Sequence, residues 1–108
     1  MTPEKLIEYQ IFNFLKIHRV FCWKNESTGV FDPKKKVFRT NKNPHKIKGV
    51  SDILGVFEGK PLAIEVKSYS GTVRKEQKEF IKRINEEGGI AFVARSIEDV
   101  AEKLGLRL

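Results

Sequence analysis

Cysteine is nearly absent from the 108-residue sequence, which contains Cys22 alone. A single thiol excludes an intrachain disulfide and a four-cysteine zinc site, and it suits a reducing compartment. Long apolar runs are also missing, because no stretch approaches the ~18 to 20 consecutive apolar residues of a membrane-spanning helix. The N-terminus is charged from Glu4 onward, unlike a secretory signal. We therefore expect a soluble, unprocessed cytoplasmic protein with no membrane partner.

Acidic residues are fewer than basic ones. The sequence has 14 aspartates and glutamates against 21 lysines and arginines, which gives a formal net charge of +7. With 40% hydrophobic and 32% charged residues, the composition is that of a folded protein. The length indicates one domain over residues 1–108. An excess of positive charge makes a polyanion such as a nucleic acid the leading partner, although solubility alone would explain part of it.

Apolar spacing and turn residues predict helices and strands in the order αβββαβα. Helix starts are indicated by Thr2 followed by proline, by Thr72 and by Ser96. Strands are expected over residues 20–28, 51–57, 61–68 and 90–95, with a loop or irregular surface hairpin over residues 30–49. The predicted class is α/β (α+β), a mixed central sheet flanked by helices.

The segment PLAIEVK at residues 61–67 places Glu65 and Lys67 on one face of an otherwise core-like strand. A two-residue turn at residues 59–60 would set Asp52 opposite Lys67, so that all three side chains share that face. Two carboxylates in a diagonal pair can converge on one cation. A one-residue change in the turn would move Asp52 to the other face.

Two helical positions also carry a polar residue where the pattern favours an apolar one. Glu8 borders the apolar stripe of the first helix, and Gln77 occupies a core position of the second. Buried polar groups need partners, and one shared site would supply them to both residues and to the strand acids.

These residue types suit metal-assisted phosphodiester hydrolysis, in which carboxylates hold Mg²⁺ or Mn²⁺ and a lysine orients water or stabilises developing charge. A basic segment would then meet the backbone of a nucleic acid. Its cations are Lys34, Lys35, Lys36, Arg39, Lys42, Lys46 and Lys48.

The combination of motifs resembles a known nuclease pattern. The letters SD at 51–52, a gap of twelve and EVK at 65–67 resemble the PD-(D/E)XK nuclease superfamily, with Ser51 in place of its proline. The helix glutamate, the run KGVSDILGVFEGKPLAIEVK, and the glycine, glutamine and phenylalanine that follow it resemble more specifically the VRR-NUC family. This resemblance implies a restriction-endonuclease-like core.

The resemblance also implies roles for individual residues. It implies that the divalent ion is bound by Asp52, Glu65, the main-chain carbonyl of Val66 and, completing the acidic site, Glu8. It implies further that Lys67 assists the attacking water and that Gln77 supports the site. Stand-alone members look like Holliday-junction resolvases of phages and bacteria, so DNA is the expected partner, a homodimer is plausible, and host cytoplasm is the location if a phage encodes the chain. Flap cleavage is an alternative.

Other interpretations of the same residues remain open. Glu65 and Lys67 would be a solvated pair on an exposed strand, Glu8 a solvated helix-edge carboxylate, and Gln77 a partner for a backbone carbonyl. The basic segment would be a solvated face. On those terms the protein is a catalytically silent nucleic-acid-binding module, or a repair or recombination subunit that needs a partner chain.

Overall fold

The computed structural model describes residues 1–26 and 44–108, together with the backbone of residues 30–32 and 37–39. The elements follow the order α1 (Pro3–Ile17), β1 (Phe21–Lys24), β2 (Val30–Asp32), β3 (Val37–Arg39), β4 (Ile53–Phe57), β5 (Lys60–Val66), α2 (Lys75–Glu86), β6 (Ile90–Ala94) and α3 (Ile97–Leu104). The predicted αβββαβα order is confirmed for the three helices and for β1, β4, β5 and β6. The expected irregular hairpin contains β2 and β3, which pair antiparallel in a small second sheet.

The main sheet has the strand order β1-β4-β5-β6. The pairs β1–β4 and β4–β5 are antiparallel, whereas β5 and β6 are parallel. A parallel pair needs a crossover, and α2 provides it. The predicted mixed sheet flanked by helices is therefore confirmed, with a restriction-endonuclease-like arrangement.

The two faces of the main sheet are covered by different helices. On one face Ile53 and Ile64 pack with Ile11 of α1 and Val100 of α3 in the hydrophobic core. On the other face α2 contacts β5 and β6 and buries Gln77. Because strand residues alternate between faces, Glu65 lies on the α2 side, next to that glutamine. None of the helices among the described residues is long and apolar enough to cross a bilayer.

The turn between β4 and β5 corrects the predicted register. The central residues are Glu58 and Gly59, both with positive φ (50° and 78°), as in a type I′ turn that favours glycine second. Phe57 pairs with Lys60, and the same register continued to the start of β4 sets Asp52 opposite residue 65 instead of residue 67. The shift is two residues, so the predicted shared face survives.

The observed starts of α1 and α3 agree with the predicted ones, whereas the start of α2 differs. The hydroxyls of Thr2 and Ser96 accept hydrogen bonds from main-chain N–H groups of the first turns of α1 and α3, as predicted. Thr72 is not the cap of α2. That helix begins at Lys75, and its N-cap Arg74 donates its main-chain N–H to the side chain of Gln77 at 2.9 Å. The Gln77 side chain thus accepts the N–H of the N-cap residue, whereas the threonine hydroxyl was expected to accept an N–H of the first turn.

Candidate active site

Glu65 and Lys67 lie in the interior despite their charges, with relative exposures of 2% and 8%. The lysine Nζ lies 3.9 Å from the glutamate Oε2. The main-chain N–H of Lys67 donates to the carbonyl of Ala94 on β6, which fixes the end of β5. This burial rules out the solvated surface pair. Two charges removed from water instead require a specific use or partner.

Asp52 is held beside the end of β5. Its Oδ2 accepts a hydrogen bond from the N–H of Val66 at 2.7 Å, and its main-chain carbonyl accepts one from Asn25 at 2.8 Å. The first bond fixes the carboxylate, and the second ties the start of β4 to the residue after β1. The Asp52 carboxylate is therefore positioned next to that of Glu65.

Gln77 connects α2 to the carboxylate on β5. Its Nε2 donates to Oε2 of Glu65 at 3.2 Å, while its Oε1 accepts the N–H of Arg74. The amide is only 6% exposed. The alternative interpretation was that Gln77 bonds a backbone carbonyl. Its amide instead bonds the Glu65 carboxylate and the main-chain N–H of Arg74 at the start of α2.

The electrostatics of the acid pair favour a bound cation. Burial, followed by the hydrogen bond with Asp52 and the negative charge of Asp52, raises the pKa of Glu65 to about 8, although the charge of Lys67 opposes the shift. The nearby charge of Glu4 adds a smaller contribution in the same direction. The positive charge of Lys67, 3.9 Å away, is thus too little to offset burial and the second carboxyl, and a further cation would lower the pKa of Glu65.

The donor set fits a hard divalent ion. Oε1 of Glu65 is buried and accepts no hydrogen bond from an N–H or hydroxyl donor among residues 1–26 and 44–108, and a hydrogen bond between the two carboxyls requires a proton on one of them. Leaving such an acceptor unsatisfied is costly, and carboxylate oxygens are the preferred ligands of Mg²⁺ and Mn²⁺. The unpartnered oxygen of Glu65 and the adjacent Asp52 carboxylate would supply two such ligands.

Glu8 lies at the side of this acid pair. It lines a cavity of about 440 Å³ together with Glu4, Lys24 and Asp52. Its buried Oε1 lies 3.4 Å from Nζ of Lys24, an ion pair without hydrogen-bond geometry. Within the described parts of the chain, no three His, Cys, Asp or Glu side chains converge closely enough to hold a metal ion. A metal-binding role for Glu8 therefore stays a prediction.

Comparison with known protein families agrees with this geometry. The model of the VRR-NUC domain matches residues 28–98, about two thirds of the chain. This chain belongs to the VRR-NUC family. VRR-NUC domains are PD-(D/E)XK-like nucleases, so the chain carries a nuclease domain that acts on DNA. No curated protein matches the chain.

The match covers the acid pair, Lys67 and Gln77 of this VRR-NUC domain but not Glu8, which precedes it. Ser51, at the position of the motif proline, is fully buried. Glu4 lines the same cavity as Asp52 but was not predicted, because its sequence signal is limited to its place one turn before Glu8. Arg74 carries no recognisable pattern, because its position depends on where α2 begins.

The predicted cationic segment is only partly described. Lys46 and Lys48 are exposed and line a cavity of about 350 Å³ with Arg74 and Gln77. Gln77, which donates a hydrogen bond to Glu65, connects this cavity to the acid pair. Lys34, Lys35, Lys36 and Lys42 lie outside the described residues, as does the side chain of Arg39, whose backbone belongs to β3.

Gly49 allows the lysine segment to lie against α2. Its φ is +75°, and a Cβ there would overlap the carbonyl oxygen of Glu76 and lie 2.8 Å from the N of Gln77. Only glycine tolerates both the conformation and the close approach. The cavity lined by Lys46 and Lys48 thus depends on this residue.

Proposed function

We propose that the chain is a single-domain, divalent-metal-dependent endonuclease that hydrolyses phosphodiester bonds in structured DNA, either four-way junctions or flaps. The observation that carries the proposal is the cluster of half-buried Asp52 with buried Glu65 and Lys67, in which one carboxylate oxygen of Glu65 is unpartnered and the pKa of Glu65 is raised to about 8. Such a perturbed, clustered set is typical of a reactive site.

Asp52, Glu65 and the main-chain carbonyl of Val66 would hold Mg²⁺ or Mn²⁺. The bound ion would polarise the phosphate and lower the pKa of a coordinated water. The hydrogen bond from Val66 N–H to Asp52 keeps one carboxylate in place, and burial keeps the other from rotating into solvent. Glu8 would complete the acidic side of the cavity that it shares with Asp52.

Lys67 would orient the attacking water or stabilise the negative charge that develops on the phosphate. Its ammonium lies in a nearly dry site, where a fixed positive charge acts more strongly than in water. Gln77 would act as a positioning residue, because it touches the Glu65 carboxylate and not the phosphate itself.

The DNA backbone would approach through the cationic segment. Lys46, Lys48 and Arg74 surround the cavity connected to the acid pair, and phosphate contacts of this kind set the position of a duplex without reading its sequence. The lysines of residues 34–42, which lie outside the described residues, are predicted from their charge to contact phosphates as well.

A homodimer would present two such sites related by a two-fold axis, which suits cleavage of two strands at a branch. An exposed apolar cluster supports this part of the proposal. Phe21 and Trp23 on β1 have ring centroids 5.4 Å apart, and Val56 pairs with Phe21 on the same face. All three are exposed. A Trp23→Glu variant should then be monomeric by light scattering, whereas an unchanged mass would exclude this surface as the dimer interface.

The deciding experiment is cleavage of labelled four-way junction, flap, single-stranded and duplex DNA with Mg²⁺, Mn²⁺ or EDTA. Wild type is compared with Asp52→Asn and Lys67→Ala, and with Glu86→Gln, an exposed acid of α2, as the matched control. Metal-dependent cleavage that disappears in the first two variants and persists in the third supports the proposal. The preferred substrate distinguishes a junction resolvase from a flap nuclease.

Two other outcomes would favour a different function. DNA binding without cleavage in any metal would identify a catalytically silent binding module. Cleavage that appears only after addition of a host or phage protein fraction would identify a partner-dependent subunit. Both outcomes contradict the autonomous endonuclease.

A further inference from the structure

The turn that leaves the site is held by one arginine from a distant part of the chain. Nη1 of Arg95, the residue after β6, donates to the carbonyl oxygens of Ser68 at 2.5 Å and Gly71 at 2.8 Å. A longer contact of 3.4 Å reaches the carbonyl of Tyr69. The turn also closes on itself, since Gly71 N–H donates to Ser68 O at 3.0 Å. Its backbone is therefore fixed.

The arginine is itself anchored. Its main-chain N–H donates to Oδ2 of Asp99 at 2.8 Å, in the first turn of α3. The next residue, Ser96, caps that helix. The turn that follows Lys67 is thus joined to β6 and α3. Most exposed loops are mobile, so this degree of attachment is unusual for an external turn.

Tyr69 stands at the tip of this turn with a relative exposure of 96%. Isolated exposed aromatic residues are common on protein surfaces and carry no meaning by themselves. This tyrosine differs because its backbone is already ordered and because a tyrosine has only two side-chain torsions to restrict on binding. The entropic cost of presenting its ring to a ligand is accordingly small.

The position of Tyr69 relates it to the acid pair. It follows Lys67 by two residues, so the two Cα atoms are at most about 8 Å apart. From Lys67 to Lys75 the chain carries Lys67, Arg74 and Lys75 and no acidic residue. A polyanion is the ligand that such a charge distribution attracts. The aromatic groups of a polyanionic DNA are its bases, which stack on tyrosine with little regard to sequence.

We propose that Tyr69 stacks on an unpaired nucleobase that flanks the scissile phosphate at the site of Asp52, Glu65 and Lys67. A base within continuous duplex is stacked on its neighbours and must be extruded to reach a protein ring, whereas a base at a branch point or in a single strand is already accessible. The tyrosine therefore selects branched or single-stranded DNA over duplex. This inference rests on the proposed nuclease function and names the structural feature of the substrate that it recognises.

The test measures binding without requiring cleavage. A DNA fork carries the fluorescent base 2-aminopurine in the single strand at the branch point, and binding is measured in EDTA. Wild type and Tyr69→Phe are expected to quench the fluorescence by stacking, and Tyr69→Leu is not. Fork affinity of Tyr69→Leu should fall roughly tenfold, while affinity for duplex stays within about twofold. Because the side chain is exposed, the variant should fold normally.

Tyr9→Leu provides the matched control, since Tyr9 is the other tyrosine of the chain and is exposed on α1. Equal fork binding and quenching by Tyr69→Leu and wild type would overturn the inference. Equal loss for fork and duplex would overturn it too, since that would indicate a backbone contact. The proposed nuclease is judged separately, by metal-dependent cleavage in wild type, so failure of the one is distinguishable from failure of the other.

Discussion

Gln77 of α2 holds the carboxylate of Glu65 on β5 with a hydrogen bond of 3.2 Å. The same amide receives the N–H of Arg74 at the start of the helix. The orientation of a buried acid is thus coupled to the point where a neighbouring helix begins. Both contacts are lost together when the amide is removed.

Gln77→Leu is therefore expected to destabilise the protein by about 1 to 3 kcal/mol, because it leaves the Arg74 N–H and the Glu65 Oε2 without this partner. Urea unfolding measures the loss. Gln10→Leu on the exposed surface of α1 is the control and should change stability by less than about 0.5 kcal/mol. A stability of Gln77→Leu equal to that of the control would show that the amide is dispensable.

The metal-free protein should lose stability as pH rises. The folded pKa of Glu65 is about 8, above the usual value of 4.5 for a glutamate in water. The folded state therefore retains a proton that the unfolded state releases. The stability contributed by this protonated carboxyl is fully present below about pH 4.5 and is lost as pH rises through about 8. Urea unfolding at pH 5, 6.5 and 8.5 in EDTA checks this trend.

Glu65→Gln tests the origin of that pH dependence. The neutral side chain has nearly the same shape, so stability over the same range should become flatter than in wild type. Addition of Mg²⁺ to wild type should also reduce the loss at high pH, because an ion bound to the folded state stabilises it. If Glu65→Gln keeps the wild-type slope, other groups cause it.

Lys67→Met should slow cleavage of bound DNA by about 100-fold or more, because a buried positive charge near the reacting phosphate is removed. Affinity for DNA should change little, since only 8% of this residue is exposed and other cations face solvent. Single-turnover cleavage separates the two effects. Lys82→Met on the exposed side of α2 is the control, and equal rates for both variants would contradict a catalytic role for Lys67.

Gly49→Ala and Gly59→Ala form a matched pair. Both glycines have positive φ, at +75° and +78°, so alanine costs roughly 1 kcal/mol in either. Only at Gly49 would the added Cβ overlap the backbone of α2. Gly49→Ala should therefore be the more destabilising in urea unfolding and should also weaken DNA binding. Equal effects would show that the close approach is relieved without cost.

The sequence predicts the order of the elements and the shared face of Asp52, Glu65 and Lys67. The prediction of a shared face was correct although the predicted register was not. Side chains alternate along a strand with a period of two, and the register error was two residues. The predicted start of α2 was wrong. Thr72 has a hydroxyl that can cap a helix, but the helix begins at Lys75. The neighbouring residues do not indicate that the Gln77 side chain bonds the N–H of Arg74 while also bonding Glu65.

The contacts of Arg95 were beyond sequence reasoning for a related reason. Its partners lie 24 to 27 positions earlier in the chain, and main-chain carbonyl oxygens carry no residue-specific signature. Local patterns report propensity and periodicity, whereas such contacts exist only after the sheet has assembled. The lysines of residues 34–42 remain predicted by charge alone.

The parallel pairing of β5 with β6 has a consequence for the order in which the domain matures. Asp52, Glu65, Lys67 and Gln77 emerge from the ribosome close together, but Lys67 N–H bonds to Ala94 and the turn beyond it is held by Arg95. Chains fold from the N-terminus as they are made. A nascent chain therefore carries all four groups before the strand that aligns them has been synthesised, and the proposed active site is complete only once β6 has joined the sheet.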